Sequence, residues 1–238
     1  MVQNGIRITT LVLVFAGLIF VILRNNVNLQ SASFLKKYTT EELSYFSEVG
    51  FGDSDRLTKW DKTIQVQILP PCQKADSIEI DKILDELRPL VGKTDIVWVK
   101  EQGNLIVNFP GTAEEFNSHR SSDIRQEPKG YASPNLDFKG NLRKVEIYIM
   151  PYLNGKGRWE TLRHEFCHAM GLMGHSKRTF QEPHLLGITV FTNFDVYETD
   201  LDLPSSLPDA DQRAIKLLYE DSLPPNLLRK KFIEAIGK

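Results

Sequence analysis

Residues 164–175 read His-Glu-Phe-Cys-His-Ala-Met-Gly-Leu-Met-Gly-His, the pattern H-E-x-x-H-x-x-G-x-x-x-H, and no other segment restricts the fold as much. Histidines four apart on a helix stand one above the other, so the rings of His164 and His168 can reach one ion. Glu165, beside the first of them, can touch a water on that ion as a general base without being a ligand. Gly171 is the residue type that ends a helix in a left-handed conformation. The chain can then turn back and bring His175 to the same point. Three protein ligands with one open position are the arrangement of catalytic zinc, whereas structural sites are closed by four. Helical phase agrees: at about 100° per residue, Trp159, Leu162, Phe166 and Met170 share one face, with His164 and His168 nearly opposite. Three of the chain's five histidines fall within these twelve residues, a clustering that chance does not favour.

The segment resembles the signature of metzincin zinc peptidases, H-E-x-x-H-x-x-G-x-x-H or the same with a final Asp. Its tail, Gly171-Leu172-Met173-Gly174-His175-Ser176, is similar to the matrixin pattern. The last spacing is one residue longer here, with Gly174 where the third ligand normally stands. The expectation is that Gly174 absorbs the extra residue as a small bulge, since glycine accepts unusual backbone angles. His175, ranked ahead of His184, is then the third ligand. Metzincins also place a methionine in a turn beneath the metal, whereas all four methionines here lie at or before Met173. Gly187-Ile188-Thr189-Val190 occupies about that stretch, with Val190 or a neighbour as an apolar substitute.

The likeness continues outside the motif. Leu207-Pro208-Asp209-Ala210-Asp211-Gln212, through Ile215, Leu218 and Tyr219, resembles the closing helix of matrixins. Val145–Ile149 stands where that fold has its last strand. Tyr45–Gly52 and then Lys59-Trp60 are similar to the start of an uncharacterised bacterial group of metzincin-like domains, in some of which the zinc motif is degraded; here it is intact. Over about residues 41–238 the resemblance implies a zincin-like α+β fold: a mixed twisted sheet with an antiparallel edge strand, packed on two main helices, with further C-terminal helices. It also implies a zinc ion (Zn2+) on His164, His168 and His175, with Glu165 as the catalytic residue.

Local patterns give an α+β layout independently. Thr39-Thr40-Glu41-Glu42 offers a capping box for a helix to about Val49. Ile64, Val66 and Ile68 alternate in a strand over 62–69 that Pro70-Pro71 ends. Ile80, Ile83, Leu84 and Leu87 recur at helical spacing over 76–91, with Gly92 as the stop. Residues 96–99 and 105–109 read as strands around a turn at Gln102-Gly103-Asn104. Residues 112–129 are polar, a loop or a short helix, with His119 as a surface histidine. An edge strand at 131–136 and the strand at Val145 precede the metal helix. The stretch from His175 to Ser206 is irregular, and two helices close the chain at about 208–222 and 225–236.

At 238 residues the chain has room for one ordinary domain behind a leader. Ile8 to Leu23 is almost wholly apolar between Arg7 and Arg24. It is short for a spanning helix and long for a signal-peptide core. Ser31-Ala32-Ser33 is a weak cleavage site, which favours an uncleaved anchor over a removed signal. The organisation expected is an anchor or signal over 1–24, a polar tether over 25–38 and the metzincin-like domain over 39–238. A net charge of −2 gives no electrostatic footprint for nucleic acid, and Arg229-Lys230-Lys231 reads as a solvated face. Two cysteines make no disulfide framework. Cys167 is expected to pack as a small apolar residue, with a Cys72–Cys167 bridge left open in an oxidising compartment.

The function these expectations describe is a membrane-tethered, extracytoplasmic zinc endopeptidase acting on a peptide or protein. The periplasmic or secreted alternative follows if the leader is removed. An extended substrate would pair with the strand at 131–136, and Tyr152 or Tyr197 is a candidate for stabilising the oxyanion. Two other readings compete: a zinc hydrolase of a non-peptide cell-envelope bond, and a non-catalytic zinc-stabilised binding module. An intact Glu165 argues against the last, since a structural site has no use for a base there.

Overall fold

The protein is described by a computed structural model covering residues 29, 33–119, 129–178, 185 and 206–237. Two short helices open it: α1 (Phe34–Lys37) and α2 (Thr40–Val49). Thr39 and Glu42 form the expected capping box at the start of α2, each side chain bonded to the other's backbone N–H. Next come β1 (Ile64–Ile68), α3 (Lys74–Leu87), β2 (Ile96–Trp98), β3 (Leu105–Asn108) and α4 (Ala113–Ser118). After them stand β4 (Gly130–Leu136), β5 (Leu142–Ile149), the motif helix α5 (Gly155–Ala169), α6 (Asp209–Leu218) and α7 (Arg229–Ala235).

The five strands form one mixed sheet in the order β2-β1-β3-β5-β4. β1, β2, β3 and β5 run parallel, and β4 is the antiparallel edge, with Ala132 opposite Ile147. Ile64, Val66, Leu105, Val107, Val145, Ile147 and Ile149 are buried in one core with Ile80, Ile83, Leu84, Leu162 and Phe166. α5 lies against β4, β5 and α3, while α6 and α7 pack on α2. The architecture is therefore α+β, as expected, with a mixed sheet and several helices.

Several boundaries move for identifiable reasons. α3 starts at Lys74 because Gln73 and Asp76 form a capping box, and it stops at Leu87, with Gly92 in a left-handed turn beyond it. Within 112–129, Thr112 caps the short α4, and exposed His119 stacks on Tyr148 at 5.0 Å. The tether expected over 25–38 is corrected at its C-terminal end. Leu29, Phe34 and Tyr38 belong to the core, and the Phe34 ring stacks on Phe232 of α7 at 5.8 Å.

The motif helix differs most from expectation. Instead of an apolar face opposite a polar one, it is enclosed on nearly every side, and Arg158, Glu160, Thr161, Arg163 and Glu165 are buried with the apolar residues. The cause is α3, which presents carboxylates to it. Arg158 donates to both oxygens of Asp76 at 2.7 and 2.9 Å and lies over the Phe109 ring. Arg163 pairs with Glu79 and stands 3.6 Å from Glu86. Both cysteines are free: Cys167 is buried in the core as expected, and no bridge joins it to the half-buried Cys72. Among the described residues no helix is long and apolar enough to cross a membrane; the apolar run at 8–23 lies outside them.

Candidate metal centre

The Nε2 atoms of His164, His168 and His175 form a triangle with sides of 3.0, 3.2 and 3.2 Å. Zinc–nitrogen bonds of 2.0–2.1 Å at tetrahedral angles require nitrogens roughly 3.3 Å apart, so the three atoms fit one ion. The ring orientations are set from behind. Nδ1 of His164 stands 2.7 Å from the Leu185 carbonyl, and Nδ1 of His168 stands 2.5 Å from that of Leu172. A carbonyl only accepts, so each Nδ1 carries the proton and each Nε2 keeps a lone pair turned inward. Burial, and then the neighbouring ring of His175, lowers the pKa of His164 to about 4; burial also lowers His168 and His175. Neutral rings are what a cation needs. His168 is buried, His164 half-buried and His175 exposed, so the centre opens to solvent on the His175 side.

The return from helix to third ligand depends on two glycines. Gly171 has φ +112, and a Cβ there would stand 2.3 Å from the Thr58 carbonyl oxygen. The carbonyls that end α5 are taken by side chains: Trp60 donates to Ala169 at 2.8 Å and Tyr219 to Met170 at 3.0 Å. Gly174 plays a role other than the expected bulge. Its φ is not in the left-handed region; what it provides is absence of bulk, since a Cβ would meet the Glu48 and Phe51 carbonyl oxygens at 2.2 and 2.7 Å. Its N–H donates to Val49 at 2.8 Å. Glu48 then accepts from Ser176 and from Arg178, each at 2.6 Å, so α2 fixes the loop that carries His175.

Glu165 is buried, which raises its carboxyl to about 8; the nearby backbone of Ala132 opposes the rise. The motif helix packs on the edge strand here. Gly130 allows the approach, since a Cβ there would stand 2.7 Å from Thr161 and 3.0 Å from Glu165. Met150 donates to the Lys129 carbonyl, so Lys129 and Tyr131 face β5, while Gly130, Ala132 and Pro134 turn toward the open edge. Pro134 has no N–H, and that of Ala132 lies near the Glu165 carboxylate. From Ala132 to Pro134 the open row therefore offers mainly carbonyls.

The three histidines read from the motif meet at one place, on α5 and the turn after it, and Glu165 is buried on the same helix. His184, Val190 and Tyr197 lie outside the described residues, and Tyr152 is about half exposed. Sequence reasoning missed the supporting groups Thr58, Glu48 and Asp211, because each acts across a long stretch of chain, and it missed the roles of Ser176 and Arg178 because their partner Glu48 is distant. The one hint was Tyr45 and Glu48, one helical turn apart in α2. No protein-family model matches the chain, and no curated protein matches it.

Proposed function

We propose that the chain is a zincin-like zinc endopeptidase of metzincin type, tethered to the membrane through residues 1–24 with its domain outside the cytoplasm. The observation that supports this reading is the triangle of Nε2 atoms of His164, His168 and His175, 3.0 to 3.2 Å apart, at a helix that also carries the buried Glu165 and packs on the edge strand β4. His164, His168 and His175 would hold zinc, which when bound supplies an activated water and polarises a carbonyl. Glu165 would take a proton from that water at its carboxylate and pass it to the leaving amine. An extended peptide would lie along β4 and donate its own N–H groups to the free carbonyls there. The exposed His175 leaves the side of the centre by which such a peptide would arrive.

The test is metal analysis and peptide hydrolysis with the full chain. One zinc per chain is expected, and it should be lost in the His164→Ala/His168→Ala double variant. Glu165→Gln should keep the zinc while hydrolysis falls by about a hundred- to ten-thousand-fold. Retained turnover in that variant would remove the base from the mechanism and leave a binding module. Protease accessibility of the domain from outside intact cells tests the topology; protection would reverse it.

A further inference from the structure

We propose that Asp211 is a positioning residue for the metal centre: it holds Leu185 so that the Leu185 carbonyl sets the ring of His164. The inference rests on the zinc reading above. Four groups from four segments are joined in series. The His164 Nδ1–H donates to the Leu185 carbonyl at 2.7 Å. The Leu185 N–H donates to Oδ2 of Asp211 at 2.8 Å. The Tyr45 hydroxyl donates to Oδ1 of the same carboxylate at 2.7 Å.

Asp211 is fully buried, and Leu185 and Tyr45 are each 2% exposed. Burying a carboxylate is costly unless hydrogen bonds and favourable dipoles answer it. Here the two donors do so, together with a position in the first turn of α6, where the helix dipole favours negative charge. The two ligand histidines of α5 show why such a group belongs there. His168 leans on Leu172, a carbonyl of its own helix-ending turn, and needs no outside support. His164 leans on Leu185, which comes from a segment beyond the third ligand. Unless that backbone is fixed, nothing sets the tautomer or the angle of His164. Asp211 fixes it, and Tyr45 of α2 fixes Asp211.

The test uses the full chain titrated with zinc against a chromophoric chelator, and its cobalt-substituted form at saturating metal. Asp211→Ala should weaken zinc by about 10- to 100-fold, the usual effect of losing an outer-shell partner. It should also shift the cobalt absorption bands, which a loss of stability alone would not do at saturation. Asp211→Asn keeps an oxygen that can accept from Leu185, so it should recover zinc affinity to within a few-fold and restore the wild-type bands. If Asp211→Ala does not fold, Tyr45→Phe decides by the same two readouts, with a weaker site and shifted bands expected. Zinc bound by the wild-type chain, with affinity and bands unchanged in the folded variant, overturns the positioning role alone. No zinc in the wild-type chain overturns the metal reading itself.

Discussion

Two glycines ten or so atoms apart along the chain do different work at the metal centre. Gly171 is needed for its dihedral angle and for the space beside Thr58, Gly174 only for space. A methyl group at residue 174 would collide with two backbone carbonyls of the α2 end, which cannot swing aside as a side chain can. Gly174→Ala should therefore displace His175, destabilise the fold by about 1–3 kcal/mol and weaken zinc by roughly tenfold or more. Chelator competition measures this, and unchanged affinity would show that the contact with α2 does not hold the third ligand. The identity of the ligands was legible at this scale, because spacing on a helix is a property of sequence alone. The reason for Gly174 was not, because the atoms it avoids belong to Glu48 and Phe51.

At the scale of elements, α5 is a helix whose polar residues are buried against a neighbour that supplies their charges. Removing one member of a buried pair leaves the other uncompensated. Arg163→Met leaves the buried Glu79 to Lys82 at 3.1 Å, so it should cost less than the roughly 3–5 kcal/mol of an uncompensated charge but more than about 1 kcal/mol in denaturant unfolding; a loss under about 1 kcal/mol would mean that Lys82 suffices. Glu160 behaves differently. It is buried, and its Oε2 has no hydrogen-bond partner among the described residues. Burial raises its carboxyl to about 7, only partly opposed by Lys129. A folded pKa above the unfolded value of 4.5 means that ionisation opposes folding, increasingly as pH rises from about 4.5 to 7. Glu160→Gln, uncharged throughout, should gain stability over wild type across that range, on the order of 2 kcal/mol by pH 8. A margin that does not grow between pH 5 and pH 8 would contradict the assignment. The sheet strands and α2 could be read from alternation and capping, whereas these charges could not, since their partners lie on another helix.

On the scale of the whole molecule, the domain begins before residue 39. Phe34 is fully buried and packed on Phe232, so Phe34→Ala should cost about 3–5 kcal/mol. A variant as stable as wild type would return this segment to the tether. Composition concealed the boundary: the asparagines, glutamine and serines at 25–33 make the stretch look polar, and one aromatic ring decides where the fold starts. The α+β class was readable, because alternating and helical periods follow one another clearly along the chain, whereas the antiparallel sense of the edge strand came from the family resemblance alone. The packing of the last helix against the first was not, since no local pattern records which ends of a chain meet.

That meeting of ends bears on when the protein becomes competent. α2 braces His175 through Glu48, and it reaches His164 through Tyr45 and Asp211, while Phe34 waits for Phe232. A growing chain carries its histidine motif well before it carries Asp211 or α7. During synthesis the ligands and α2 are therefore present before Asp211 and Phe232, the braces that follow the motif in the chain. Truncated products, and chains still threading out of the ribosome, would carry the whole motif without the framework that aims it.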